Sequence, residues 1–287
     1  MRFPIGAMSV GDILDRGLKL YLARMPLFYG ISLIALAPLI ALQLFIPVLQ
    51  ANASGDSAAM MAITMLLGGL GVLVLTLILQ PIATAAFVYV VAQEYVDRQV
   101  TMGQALSAAM GRFGPLIVTS LLGGLLIGLG LLACVIPGIY LSVIWAFIGQ
   151  TVVLEKLMGM EALKRSSSLV QGFFWRVLGI LVLVGAINFI VQLLLVGGLE
   201  LVLPSHDIVT RTQTFGGQTM QIPTQVPRFP NAIIHVLITQ LVSILFTCYG
   251  QICQTLLYLD LRIRKEGFDL EIAARQQKSA EGPDDGV

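Results

Sequence analysis

Five polar side chains, Gln240, Ser243, Thr247, Gln251 and Gln254, recur at intervals of three and four within an otherwise apolar stretch. That spacing stacks them on one face of a helix. Asn188 and Gln192 bring the same chemistry, one helical turn apart, to a second apolar stretch. Amides and hydroxyls donate and accept hydrogen bonds without carrying charge. Two readings follow from this pattern. Either the faces line a polar groove that admits a lipid headgroup or small solute, or they supply hydrogen bonds between helices, each giving on the order of 1 kcal/mol.

A second constellation is charged. Asp260, Arg262, Arg264, Lys265 and Glu266 lie just beyond the last apolar stretch, with Asp260 four residues from Arg264 and Arg262 four from Glu266. Both pairs meet on a helix that continues past the apolar run, and Gly267 is placed to end it. The segment reads as a docking surface for a cytoplasmic partner, as a clamp gathering neighbouring interfacial helices, or as a headgroup-facing helix end with snorkelling cations.

Catalytic chemistry finds no such support. His206 and His235 are the only histidines, so a metal site would need Asp207 or Glu200 beside them. Ser166, Ser167 and Ser168 lie far from either histidine and are expected to form an exposed helix segment. Cys134, Cys248 and Cys253 sit in apolar sequence, where a thiol behaves as a small hydrophobe. No phosphate-cradling glycine loop follows a strand. No catalytic residue, metal or cofactor is therefore expected, and nucleic acid is not among the expected partners.

The elements that must position these groups are membrane helices. Of the 287 residues 57% are hydrophobic and 11% charged, against roughly 25% charge in soluble domains. Apolar runs at 25–49, 62–92, 115–134, 138–155, 174–200 and 232–259 match or exceed the ~20 residues a helix needs to cross the hydrocarbon layer. Lipid offers no hydrogen-bond partners, so such runs span as helices. The fold class is all-α, a polytopic transmembrane bundle of about six spans. The run from Ala58 to Ala92 carries Gln80–Pro81 and is expected either to kink or to divide into two segments. Pro137–Gly138 marks a tight turn between spans three and four. Gly124 and Gly128 form a GxxxG that is expected to admit a neighbouring helix. No Asp, Glu, Lys or Arg falls in the middle of a span, which counts against a proton- or ion-driven carrier.

Positive charge gives the orientation. Fifteen of the seventeen Lys and Arg residues fall in alternate connections and at the termini, leaving Arg211 and Arg228 on the other side. Short cytoplasmic connections retain such charge, so both termini are expected in the cytoplasm. The first span is expected to act as an uncleaved targeting signal. Residues 1–272 form one membrane domain with an outer loop at 205–231, and 273–287, with Asp284 and Asp285, a disordered tail. Within the loop, Gly216–Gly217 suits the turn of a small hairpin resting on the outer surface or on a partner.

The segments before the odd spans share a pattern. Ser9-Val-Gly-Asp-Ile-Leu14 and Thr101-Met-Gly-Gln-Ala-Leu106 each place an acid or amide three residues after a hydroxyl, close to a capping box. Gly159-Met-Glu-Ala-Leu163 repeats the pattern without the hydroxyl. Three units of interfacial amphipathic helix plus two spans are expected. Such repeats frame a central site in some membrane proteins, and duplication of a stable hairpin explains them equally well.

The run Leu257-Tyr-Leu-Asp-Leu-Arg-Ile-Arg-Lys-Glu-Gly-Phe-Asp-Leu-Glu271 resembles the ending of bacterial proteins of the glycerophosphoryl diester phosphodiesterase membrane domain family. Ser9-Val-Gly-Asp-Ile-Leu-Asp-Arg16, Ile136-Pro-Gly-Ile-Tyr140 and Glu161-Ala-Leu-Lys-Arg-Ser166 are similar to that family as well. The resemblance implies a membrane part only. In the two-part enzymes behind the name, hydrolysis belongs to a soluble barrel with metal-binding His, Glu and Asp, and no such barrel is expected in these 287 residues. The functional expectation is a non-enzymatic scaffold or accessory subunit of the bacterial inner membrane, organising membrane lipids or a membrane or cytoplasmic protein partner. The alternative is a transporter or lipid-handling protein that uses the polar groove between spans five and six.

Overall fold

A computed structural model describes residues 6–53, 58–215 and 218–267. The tail at 273–287 and the Gly216–Gly217 turn lie outside the described residues. Helices α1 (Val10–Ala23), α2 (Met25–Ala53) and α3 (Ala58–Tyr95) come first. They are followed by α4 (Met102–Met110), α5 (Phe113–Ala133), α6 (Val135–Ile144) and α7 (Ile148–Leu154). The chain continues through α8 (Met160–Val170), α9 (Phe174–Val202), strands β1 (His206–Phe215) and β2 (Gln218–Pro227), and α10 (Asn231–Glu266). The architecture is an all-α bundle with six segments long and apolar enough to cross a membrane, α6 and α7 together making the fourth. This is a multi-pass membrane protein.

The element order runs three times through a short amphipathic helix and two crossings. Local chemistry starts each unit. The Ser9 hydroxyl accepts from the Asp12 N–H while the Asp12 carboxylate accepts from the Ser9 N–H at 2.8 Å. The Ser9 hydroxyl, donating to the Asp12 carboxylate at 2.7 Å, and the Ser9 N–H together hold that carboxyl below its ordinary value. Thr101 and Gln104 repeat this capping box on α4. At α8 the cap is Gly159, with φ 58° and no side-chain bond of its own, and Thr119 of α5 accepts its N–H at 2.8 Å. Thr119 thus supplies, from a neighbouring helix, the acceptor for the cap N–H that Asp12 and Gln104 supply in the other two units.

Of the two alternatives for the run from Ala58, the single helix is found: α3 continues through Pro81. Two other expectations need correction. The turn between α5 and α6 falls at Cys134, whose backbone is extended, and not at Pro137–Gly138. Those two residues sit in the first turn of α6, where a missing N–H breaks no intrahelical bond. Gly138 serves close approach, because a Cβ there would stand 2.8 Å from the Leu131 Cα. Finally, a Cβ at Gly124 or Gly128 would meet nothing within 4 Å, so the GxxxG faces away from the bundle. The packed face of α5 carries Leu116, Thr119 and Gly123 instead.

The core concentrates around the last turns of α10. From Ile252 to Ile263 almost every residue is buried, on all sides of the helix. α1 lays Ile13, Gly17, Leu20 and Tyr21 inward, and the Tyr249 hydroxyl donates to the Leu14 carbonyl at 3.2 Å. Phe28 of α2 meets Phe87 of α3 edge-on, with ring centroids 5.6 Å apart. At the far end, β1 and β2 pair antiparallel from His206↔Pro227 to Phe215↔Gln218, and β2 touches α2.

Candidate functional site

Among the charged residues after the last apolar run, Asp260 is a buried carboxylate on which distant segments converge. Asp260 has no exposed surface. It accepts the Met8 N–H at 2.7 Å, pairs with Arg176 of α9 at 3.0 Å and pairs with Arg264 one turn on at 3.0 Å. Both guanidiniums also donate to the Met8 carbonyl. The peptide preceding α1 is therefore gripped on both sides, and its grip ties together the N-terminal segment, α9 and α10. Low local dielectric strengthens each of these contacts.

A second network surrounds it. Glu155, at the end of α7, accepts from the Tyr258 hydroxyl and pairs with Arg165 of α8. Arg165 also pairs with Glu266, which pairs with Arg262 at 3.2 Å. Burial disfavours the Arg165 charge, yet its bonds to Glu155 and Glu266 outweigh that effect and raise its pKa. Lys265 donates to the Ser168 carbonyl and lies 5.9 Å from the centre of the Phe173 ring. Arg24 and Glu94 join the α1–α2 junction to the end of α3 at 2.9 Å. Of the segment read as a docking surface, Asp260 is wholly internal, because a lone carboxylate among packed side chains needs these partners. Arg264, Lys265 and Glu266 keep exposed surface while bonding inward. Met8 and Arg176 were not marked by any sequence pattern.

The polar face of α10 divides. Asn188, Thr247, Gln251 and Gln254 border a cavity of about 210 Å³ between α9 and α10. Gln240, Ser243 and Thr247 border a second, of about 130 Å³, with Ser32, Gln43 and Gln80 from α2 and α3. Gln192 borders neither of these two cavities and donates to the Ser243 hydroxyl at 2.9 Å. The seven polar residues therefore do not share one chamber. Gln43 and Gln80 were visible as lone amides in apolar sequence, a signal the stripe on α10 overshadowed.

The fourth crossing is broken at Trp145–Phe147, where i→i+3 bonds replace the helical ladder. Side chains from other helices repair the gap. Ser166 of α8 accepts the Phe147 N–H at 3.2 Å and donates to the Ile144 carbonyl at 2.8 Å. Gln254 donates to the Ala146 carbonyl. Ser166 is fully buried, which corrects the expectation of an exposed serine segment: its hydroxyl fills a vacancy in a neighbouring backbone. Below the break, Thr255 donates to the Gln251 carbonyl at 2.8 Å.

At the opposite end Glu200 gathers its neighbours. It accepts the Ser205 N–H at 3.1 Å and hydroxyl at 2.8 Å and stands 3.0 Å from His235 Nε2. The Ser205 hydroxyl also lies 2.7 Å from His206 Nδ1. Asp207 faces Arg228 instead, at 3.7 Å. Among the described residues no group of three His, Cys, Asp or Glu is placed to hold a metal.

A family model described as a domain of unknown function, DUF7847, matches residues 8–261. The chain belongs to the DUF7847 family. No curated protein and no solved structure matches it. The DUF7847 segment opens at Met8 and closes one residue past Asp260, so its two ends are joined directly by the Met8–Asp260 bond of the clamp. In this DUF7847 chain the clamp and the repaired break share α10, and each of them links segments far apart in sequence.

Proposed function

We propose that this DUF7847 protein is a non-enzymatic scaffold or accessory subunit of the cell membrane, with both termini cytoplasmic, that presents a fixed surface to partner proteins or lipid. The observation that carries this reading is the Asp260 clamp, which holds the end of the bundle richest in Lys and Arg as one interlocked unit. The outer face of α8, with Met160, Glu161 and Lys164 exposed beside it, is the surface such a unit offers. Orientation rests on the bias of positive charge toward that end. The threefold element order supports descent from one duplicated unit. Kinship with glycerophosphoryl diester phosphodiesterase membrane domains rests on the motifs at 9–16, 136–140, 161–166 and 257–271.

Purification in mild detergent, with bound proteins identified by mass spectrometry, tests the proposal. The expected result is a partner in fixed stoichiometry that is lost on reversing both charges, Glu161→Lys with Lys164→Glu. A chain that purifies without such a partner contradicts it. Labelling a cysteine introduced at Lys164 tests the orientation: reagent confined to the outside of intact cells should not reach it.

The second reading is transport or lipid handling, favoured by the two cavities on either side of α10, each of which amides and hydroxyls border among apolar side chains. Movement of a solute or lipid across vesicles that contain the purified protein would support it.

A further inference from the structure

Two residues bordering the cavity between α9 and α10 carry hydrogen-bonding atoms that the protein itself leaves idle. Asn188 Oδ1 and Gln251 Oε1 are both buried without a partner, and both residues border the cavity. Two other amides on these helices are used: Gln192 reaches Ser243 and Gln254 reaches the Ala146 carbonyl. A buried acceptor with no donor is costly, and more so in a membrane bundle where bulk water is remote.

The walls define what would satisfy these atoms. No charged side chain borders the cavity, so a phosphate or an ammonium would enter without a counter-charge. Thr247 contributes a hydroxyl, and Ile180, Leu181, Val184 and Phe246 contribute apolar surface. An amide offers an acceptor and a donor that exchange when it flips, and a hydroxyl, which both donates and accepts, complements either orientation. The volume of about 210 Å³ exceeds the roughly 150 Å³ that admits a benzene ring. A ring or chain bearing several hydroxyls and one carbon face fits this description. Gly185 leaves further room, since a Cβ there would meet nothing within 4 Å.

We propose that the α9–α10 cavity binds a neutral polyhydroxyl group, either the sugar headgroup of an uncharged lipid or a free polyol. Its hydroxyls pair with the side-chain amides of Asn188 and Gln251, turned toward the cavity, and its carbon face packs on Val184 and Phe246. The inference deepens the second reading by naming a ligand class, and it requires no transport: a ligand held in place is equally at home in a scaffold. Its failure leaves the clamp untouched, and loss of the partner protein leaves the cavity untouched.

Native mass spectrometry of the full chain in a polyoxyethylene detergent, which carries no sugar, provides the test. The probes are glucosyl diacylglycerol, diacylglycerol without sugar, and methyl glucoside. Glucosyl diacylglycerol should bind well above plain diacylglycerol. Asn188→Leu removes one acceptor and Gly185→Met fills the space while keeping both amides, and each should weaken binding by roughly tenfold. Gly185→Met decides the matter if Asn188→Leu does not fold. Binding of methyl glucoside as well identifies a free polyol site, and binding of the lipid alone identifies a headgroup site. Equal retention of the two lipids, no retention of either sugar probe, or affinity unchanged in both variants would overturn the proposal, leaving the cavity to water.

Discussion

The two ends of the bundle are held by the same kinds of residue to opposite effect. At one end Asp260, without exposed surface, meets two guanidiniums and a peptide N–H. At the other, Glu200 meets a histidine and a serine, but its side chain is 44% exposed. Exposed ion pairs contribute about 0.2–1 kcal/mol, whereas removing one partner of a buried pair costs about 3–5 kcal/mol. Depth, more than the number of contacts, separates an end that is locked from one that is free to adjust. The locked end also joins segments that local sequence cannot join: the N-terminal segment to α9 and α10, α7 to α8, and α1 to α3.

Breaking the locked end should have the largest effect. Asp260→Ala leaves Arg176 and Arg264 facing each other and the Met8 N–H unpaired, and should cost about 3–5 kcal/mol, read as a large fall in thermal unfolding temperature in detergent. Next comes the repaired break in the fourth crossing. Ser166→Ala strands the Phe147 N–H and the Ile144 carbonyl, an expected loss of about 1–3 kcal/mol, while Ser168→Ala, which removes an exposed hydroxyl bonded only within its own turn, should leave unfolding unchanged. Ser9→Ala removes the α1 cap at a cost of about 1 kcal/mol. The paired Asp12 carboxyl adds a pH signature. Its pKa is lowered by folding, so its stabilisation is complete above the ordinary value of 3.8 and disappears as pH falls through the lowered one. Ser9→Ala should therefore narrow its gap from wild type on acidification. The smallest effect belongs to the exposed end: His235→Ala should shift stability by less than about 1 kcal/mol. A loss matching that of Asp260→Ala would erase the contrast between the ends.

Much of this design was legible in sequence because it is local. Capping boxes at Ser9 and Thr101, the four-residue pairs Asp260–Arg264 and Arg262–Glu266, and the stop at Gly267 each depend on a few consecutive residues. The six crossings were legible because lipid demands long apolar runs. What escaped depends on distant partners. Nothing in Trp145–Phe147 announces a break, since its backbone groups are satisfied by Ser166 and Gln254 from other helices. Arg176 looked like one more positive charge at a span boundary, and only packing turns it toward Asp260. The amide stripe was read as a single face, and so it is on α10. The bundle divides it because α9 covers one flank while α2 and α3 cover the other.

The grip on Met8 is the point on which the account turns, and peptide-resolved hydrogen–deuterium exchange of the intact protein in detergent reads it directly. The amide of Met8 should exchange slowly, like the buried turns of α10, and should accelerate sharply in Asp260→Ala. Exchange at Met8 in the unaltered protein as fast as in an unprotected peptide would contradict the clamp.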